Sequence, residues 1–155
     1  MQLHFYNERY ESKINDYMIT KEQLRFTIAP KECLELAKED NERYPILAIK
    51  DEQLVTFFVL HMNKGVKPYS NNEEAILIRS FSTDFRYQEQ GFAKTTLRLL
   101  PQFVKRNFNK INEMILAVNL QNKAAQSLYK KCGFVDEGER RMGSKGELII
   151  MSYHL

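Results

Sequence analysis

The stretch Ala75-Ile76-Leu77-Ile78-Arg79-Ser80-Phe81-Ser82-Thr83-Asp84-Phe85-Arg86-Tyr87-Gln88-Glu89-Gln90-Gly91-Phe92-Ala93-Lys94 joins two kinds of periodicity. Ala75 to Phe81 is a nearly continuous apolar run, as expected of a strand buried on both faces. From about Gly91 to Phe108 the pattern changes: Ala93, Leu97, Leu100 and Val104 recur at helical spacing, with Lys105 and Arg106 at the negative end of the dipole. Pro101 removes one backbone bond and is expected to bend this helix. A strand, a loop and a helix start therefore follow one another. Such a junction aims free N–H groups at one spot, with the helix dipole behind them. Gly91 permits a close backbone approach, Ala93 keeps the next turn small, and Lys94 and Arg86 add charge. A diphosphate is the ligand this favours, although an ordinary tight turn accounts for the same residues. The segment is neither a P-loop nor a three-glycine dinucleotide fingerprint.

Working outward, Leu3 to Tyr6 reads as a short strand and Tyr10 to Ile19 as a helix with Ile14, Tyr17 and Met18 on one face. Pro30 fits the first turn of a helix carrying Cys33, Leu34, Leu36 and Ala37. Pro45 to Ile49 and Leu54 to His61 pair around Lys50-Asp51-Glu52-Gln53. Asn63 to Glu73, with Gly65, Pro68, Ser70, Asn71 and Asn72, is expected to be a mobile hairpin connection. Glu113 to Val118 forms a further strand and Lys123 to Cys132 a helix. Phe134 to Glu139 and Leu148 to His154 finish the sheet. The expected class is α+β (mixed α/β), with a long, mostly antiparallel sheet and helices on its faces, in one domain over residues 1–155.

The bulk numbers fit that class. The chain has 155 residues, 43% of them apolar and 28% charged, with ten Phe and eight Tyr for a core. A net charge of +3 is too small to imply a nucleic-acid partner, and the bases do not interleave with exposed aromatics. Met1 to Glu42 holds nine acids and six bases, whereas Phe85 to Arg141 holds five acids and eleven bases. The basic second half suits an anionic ligand. Cys33 and Cys132 form no disulfide framework or metal-ligand spacing, so no metal is expected, and Cys132 reads as a small core residue. Without a leader pattern or a membrane-length apolar run, a cytoplasmic location and no membrane partner are the expectation.

The second informative segment is Asn122-Lys123-Ala124-Ala125-Gln126-Ser127-Leu128-Tyr129-Lys130-Lys131-Cys132-Gly133-Phe134. Asn122 is a good N-cap and Gly133 a good C′ residue, so this helix is delimited by its own sequence. Ala125, Leu128 and Cys132 form its apolar stripe. Asn122 and Tyr129 are nearly two turns apart and share a face, about 10 Å apart along the axis. On these grounds alone, Asn122 is equally well a simple cap and Tyr129 a core residue with its hydroxyl at the edge.

Together the two segments resemble the GNAT superfamily of N-acetyltransferases. Gln88-Glu89-Gln90-Gly91-Phe92-Ala93 matches its Q/R-x-x-G-x-G/A motif, with Ala for the last Gly. Asn122, Ala125, Leu128, Tyr129, Gly133 and Phe134 fill every fixed position of N-x-x-A-x-x-L-Y-x-x-x-G-F, and the segments follow the family's order. The resemblance implies a twisted sheet of about seven strands, splayed in the middle, with about four helices. It implies acetyl-CoA as cosubstrate, held at Gln88, Glu89, Gln90, Gly91, Phe92, Ala93 and Lys94, through the main chain of Phe81, Ser82 and Thr83, and at Asn122. It implies direct attack by a primary amine of a small molecule or peptide, oxyanion stabilisation by backbone N–H groups, and Tyr129 as general acid for the leaving thiolate.

The match lacks a base. Where some relatives place a Glu five residues before the Asn, this chain has Ala117, and where others use a Glu in the first strand it has Leu77 and apolar neighbours. Glu74, at the start of that strand, is a poor substitute. His4, His61 and His154 read as structural or exposed. The missing base leaves a second reading, a CoA-binding sensor of the same fold without turnover. Arg79, a guanidinium in an apolar strand, needs a partner: an acidic substrate group or, the simpler expectation, a nearby carboxylate. Homodimers are common among relatives, and the amino-terminal acidic surplus would suit a cationic acceptor such as a polyamine.

Overall fold

In a computed structural model describing residues 1–155, the sheet is built from strands β1 (Gln2–Phe5), β2 (Arg43–Lys50), β3 (Gln53–His61), β4 (Ala75–Thr83), β5 (Glu113–Asn119), β6 (Val135–Gly143) and β7 (Gly146–His154). Their spatial order is β1-β2-β3-β4-β5-β7-β6. The helices are α1 (Glu11–Asp16), α2 (Pro30–Lys38), α3 (Phe92–Asn107) and α4 (Lys123–Lys131). Mixed α+β architecture, seven strands and four helices agree with the expectation. All pairings are antiparallel except β4 with β5.

Period-two alternation sends β-strand side chains to opposite faces, and two cores result. Ile46, Phe58, Leu60, Ile76 and Ile78 meet Leu97, Leu100 and Val104 of α3 in the larger core. Leu47, Phe57 and Val59 on the other face pack on Ile14 of α1 and Cys33 of α2. Helix α3 runs through Pro101 to Asn107 without a break. The turn between β2 and β3 is two residues long, with Asp51 and Glu52 both at positive φ, the twist a tight hairpin requires.

Two expectations are corrected. The first helix is shorter than Tyr10 to Ile19: a 3-10 turn at Glu8–Tyr10 leads into α1, which ends at Asp16. Tyr17 is extended because the following chain is drawn to the sheet, where the Met18 amide donates to the Asp84 carboxylate at 3.0 Å. The connection from Asn63 to Glu73 is also anchored rather than free. Val66 is buried with Ala75, Leu77 and Ile115, and Gly65 lies flat on the His61 ring.

The feature that makes a site is where pairing stops. β4 and β5 are in register from Ala75↔Glu113 to Ile78↔Leu116 and then separate. On its other side β4 bulges: Val59 faces Arg79 and Phe57 faces Ser82, so Phe58 opposes two residues. Ser80, at φ 56, absorbs the extra residue. The bulge turns the end of β4 away from β5, and a cleft opens between them.

Candidate active site

A cavity of about 800 Å³ fills this cleft. Phe81, Ser82 and Thr83 of β4, Ala117 and Asn119 of β5, Gly91, Phe92, Ala93 and Lys94 at the start of α3, and Asn122 and Tyr129 of α4 line it. Gln88 and Glu89 complete one end. The residues singled out from the sequence as cofactor-binding or catalytic thus line one space, except Gln90, and Arg86 is outside the lining as well.

At that end the backbone is unusually open. The amides of Glu89, Gln90, Gly91, Phe92, Ala93 and Lys94 donate to no acceptor in the protein; the helical ladder begins with Thr95 donating to the Gly91 carbonyl. Glu89 at φ 63 and Gly91 at φ 80 curl this run, so that it forms a nest closed by the first turn of α3. A side chain on Gly91 would meet nothing within 4 Å, so its φ angle alone calls for glycine. Free N–H groups, a helix N-terminus and Lys94 fit a diphosphate.

Arg86, expected to add charge there, is used elsewhere. Its guanidinium reaches the buried Asp84 carboxylate at 2.8 Å and that of Asp16 at 3.0 Å. Burial pushes the Asp84 carboxyl up, but bonds from Arg86 and from the Met18 and Arg86 amides outweigh it and hold the group below the usual range. This pair fastens the loop after β4 to the end of α1, a role unreadable from spacing.

Asn122 is a cap and more. Its Oδ1 accepts from the Ala125 amide at 3.2 Å and its backbone amide donates to the Asn119 carbonyl at 2.9 Å, while its side-chain Nδ2 donates to nothing in the protein. Tyr129 lies edge-on between Phe81 and Phe134, with centroids 6.1 and 6.0 Å away. The ring is buried, yet no protein group bonds its hydroxyl. Burial, and then Cys132, raises the phenol above its ordinary range, so it keeps its proton at neutral pH.

Around β4, Tyr17 bonds the Ser82 hydroxyl at 2.8 Å and Gln23 donates to the Thr83 carbonyl at 2.7 Å. Gln23 and Asn119, which is buried and lines the cavity, carried no signal in the sequence. Glu74 is exposed and outside the cavity. Its acidic lining residues are Glu22, exposed and paired with Arg25 at 2.6 Å, and Glu89. His61 is buried and structural; His154 is exposed, 3.7 Å from Glu137.

Residues 4–134 match the sequence profile of the Acetyltransferase (GNAT) family. The chain belongs to that family. As a GNAT acetyltransferase it is an acetyl-CoA-dependent N-acetyltransferase, in agreement with the reading of its two motif segments. It is 40% identical to the uncharacterized N-acetyltransferase YbbJ of Bacillus subtilis, over all of this chain and 98% of that protein. It is 30% identical to the spermine/spermidine N(1)-acetyltransferase of the same organism, over 89% of this chain and 88% of the relative. An aminoglycoside acetyltransferase solved with coenzyme A and kanamycin shares the fold at TM-score 0.80 and 13% identity, covering 99% of this GNAT chain and 94% of its own. No helix of this GNAT protein is long and apolar enough to cross a membrane.

Proposed function

We propose that the protein transfers the acetyl group of acetyl-CoA to a primary amine of a small molecule or peptide by direct attack. The open backbone nest at Glu89 to Lys94 carries the cosubstrate half of this reading, since six unsatisfied donors beside a helix start call for a diphosphate. Gln88 precedes the nest and Gln90 lies within it. The main chain of Phe81, Ser82 and Thr83 is the proposed partner of the pantetheine arm; because Ser82 pairs with Phe57 of β3 and Gln23 occupies the Thr83 carbonyl, Phe81 carries the larger share. The free side-chain Nδ2 of Asn122 donates to the same arm.

Tyr129 carries the chemical half. The amine nitrogen forms a bond to the thioester carbon, the carbon–sulfur bond breaks, and the electron pair leaves on sulfur. The Tyr129 phenol supplies the proton that converts the thiolate to free thiol, and the proton shed by the attacking nitrogen restores the phenol through solvent. With Ala117 and Leu77 in place of acids on the two splayed strands, the amine is deprotonated by water or reacts from its neutral fraction. A small-molecule acceptor is supported by the names of the spermine/spermidine relative and of the aminoglycoside enzyme sharing the fold. The test is free-thiol release from acetyl-CoA across a broad amine panel, beside calorimetry with acetyl-CoA alone. Release that depends on an amine supports transfer. Binding with no amine-dependent release would instead mark a CoA sensor.

A further inference from the structure

Behind the splay point a second cavity of about 220 Å³ adjoins the first, sharing Phe26, Thr27, Arg79, Ser80, Ala117 and Asn119 with it. It thus adjoins the cleft where β4 and β5 part. No Asp or Glu lines it, and its charged residues are Arg79 and Lys145. Lys145 donates to the Leu24 and Thr27 carbonyls at 2.8 and 2.9 Å, so it clamps the wall of this cavity.

Arg79 is left unneutralised. Contrary to the expectation of a nearby carboxylate, its one protein bond runs from Nη1 to Nδ1 of His61 at 3.1 Å. Because a guanidinium only donates, His61 accepts at Nδ1 and carries its hydrogen on Nε2, which donates to Asp40 at 2.9 Å. Burial, then Arg43 and Arg79, hold the imidazole below its ordinary value, so it is neutral and offsets no charge. Asp40 is shared with Arg43 at 3.3 Å and Lys64 at 3.6 Å. Two cations already answer that single carboxylate, and Arg79 adds a third. Half-buried, it holds its remaining N–H donors toward the two cavities.

A fork of cationic donors suits a planar anion with paired oxygens, and it repels an acceptor bearing extra ammonium groups.

The geometry points to an acceptor amine that also carries a carboxylate, such as an amino acid or a peptide end, gripped by Arg79 in the smaller cavity. This rests on the acetyl-transfer reading and narrows it. The acidic surplus of residues 1–42 does not oppose it: of the acidic residues in that segment only Glu22 lines either cavity, and Arg25 already pairs with it.

The test pairs each amino acid with the amine lacking its carboxylate, lysine with cadaverine and ornithine with putrescine, and with its carboxamide. Thiol release is followed in wild type, Arg79→Gln and Arg79→Lys. A charge-assisted, two-pronged bond predicts kcat/KM about 10- to 100-fold higher for a carboxylate-bearing amine than for its partner. Arg79→Gln should erase that preference through KM, and Arg79→Lys should restore part of it. Equal or better turnover of the carboxylate-free amines, or a preference that survives Arg79→Gln, overturns the inference while transfer stands. Absence of thiol release with every amine overturns both together. Unfolding midpoints of the variants identify any loss due to misfolding, and in that event the Arg79→Lys ratio decides.

Discussion

Arg79 and His61 meet diagonally across β4 and β3: His61 is in register with Leu77, two residues before Arg79, and the guanidinium donates to its Nδ1 at 3.1 Å. The bond connects the rim of the cleft to a buried relay ending at Asp40. It holds only while the imidazole is neutral, because a protonated ring has no lone pair for Arg79.

That dependence has a definite sign. The fold lowers the His61 pKa from 6.5, first through burial and then through Arg43 and Arg79. The unfolded chain therefore binds the proton more readily than the native one. The contribution of this group to stability is complete above pH 6.5 and is lost as pH falls from there toward the lower native value. Thermal unfolding at constant ionic strength should show a midpoint that drops as pH falls below 6.5, and His61→Gln should flatten that limb. Parallel pH profiles for the two proteins would remove His61 as the cause.

Gly65 is a steric matter. A Cβ there would lie 2.2 Å from Cγ of His61, a ring fixed at both nitrogens. Gly65→Ala should lower stability by about 1–3 kcal/mol, the usual cost of overpacking. Gly138 gives the contrast: nothing lies within 4 Å of its Cβ position, and only its φ of 96 opposes a side chain. Gly138→Ala should cost about 1 kcal/mol. Denaturant titration of both variants measures the difference.

Gly91→Ala introduces no clash but strains a left-handed residue at the mouth of the nest. The expected result is weaker acetyl-CoA binding, by roughly fivefold for a cost of about 1 kcal/mol. Gly91→Asn should lose less, because Asn tolerates this conformation better. Calorimetric affinities that rank Ala above Asn would contradict a conformational origin.

Tyr129→Phe removes a hydroxyl that no protein group bonds, so stability should change by less than about 0.5 kcal/mol. Turnover should fall by about 10²- to 10⁴-fold if the phenol protonates the leaving sulfur. Acetyl-CoA affinity should hold. An unchanged kcat takes Tyr129 out of the chemistry.

Much of the architecture was legible because its signals are local. The apolar run before Gly91, the helical spacing after it, and the cap residues Asn122 and Gly133 each act within a turn or two of chain. The limits of the first helix were not, because Tyr17 and Met18 follow α1 with helix-compatible residues, and it is a carboxylate 66 residues away that draws the chain out. Arg86 illustrates the same limit at the site. Its charge and its place in the loop suited a diphosphate, but the buried Asp84 two residues away and Asp16 of α1 hold it instead.

By itself the sequence determined the class of fold, through periodicity and caps that act locally, and it pointed to the cosubstrate and the family only through the resemblance of its two motif segments to known acetyltransferases. Only the tertiary structure decided what surrounds Arg79. The bulge at Ser80 parts β4 from β5, and packing β3 against β4 brings His61, not a carboxylate, to Arg79. Whether a buried cation is neutralised depends on which groups surround it in space, and the chain order of those groups does not encode that.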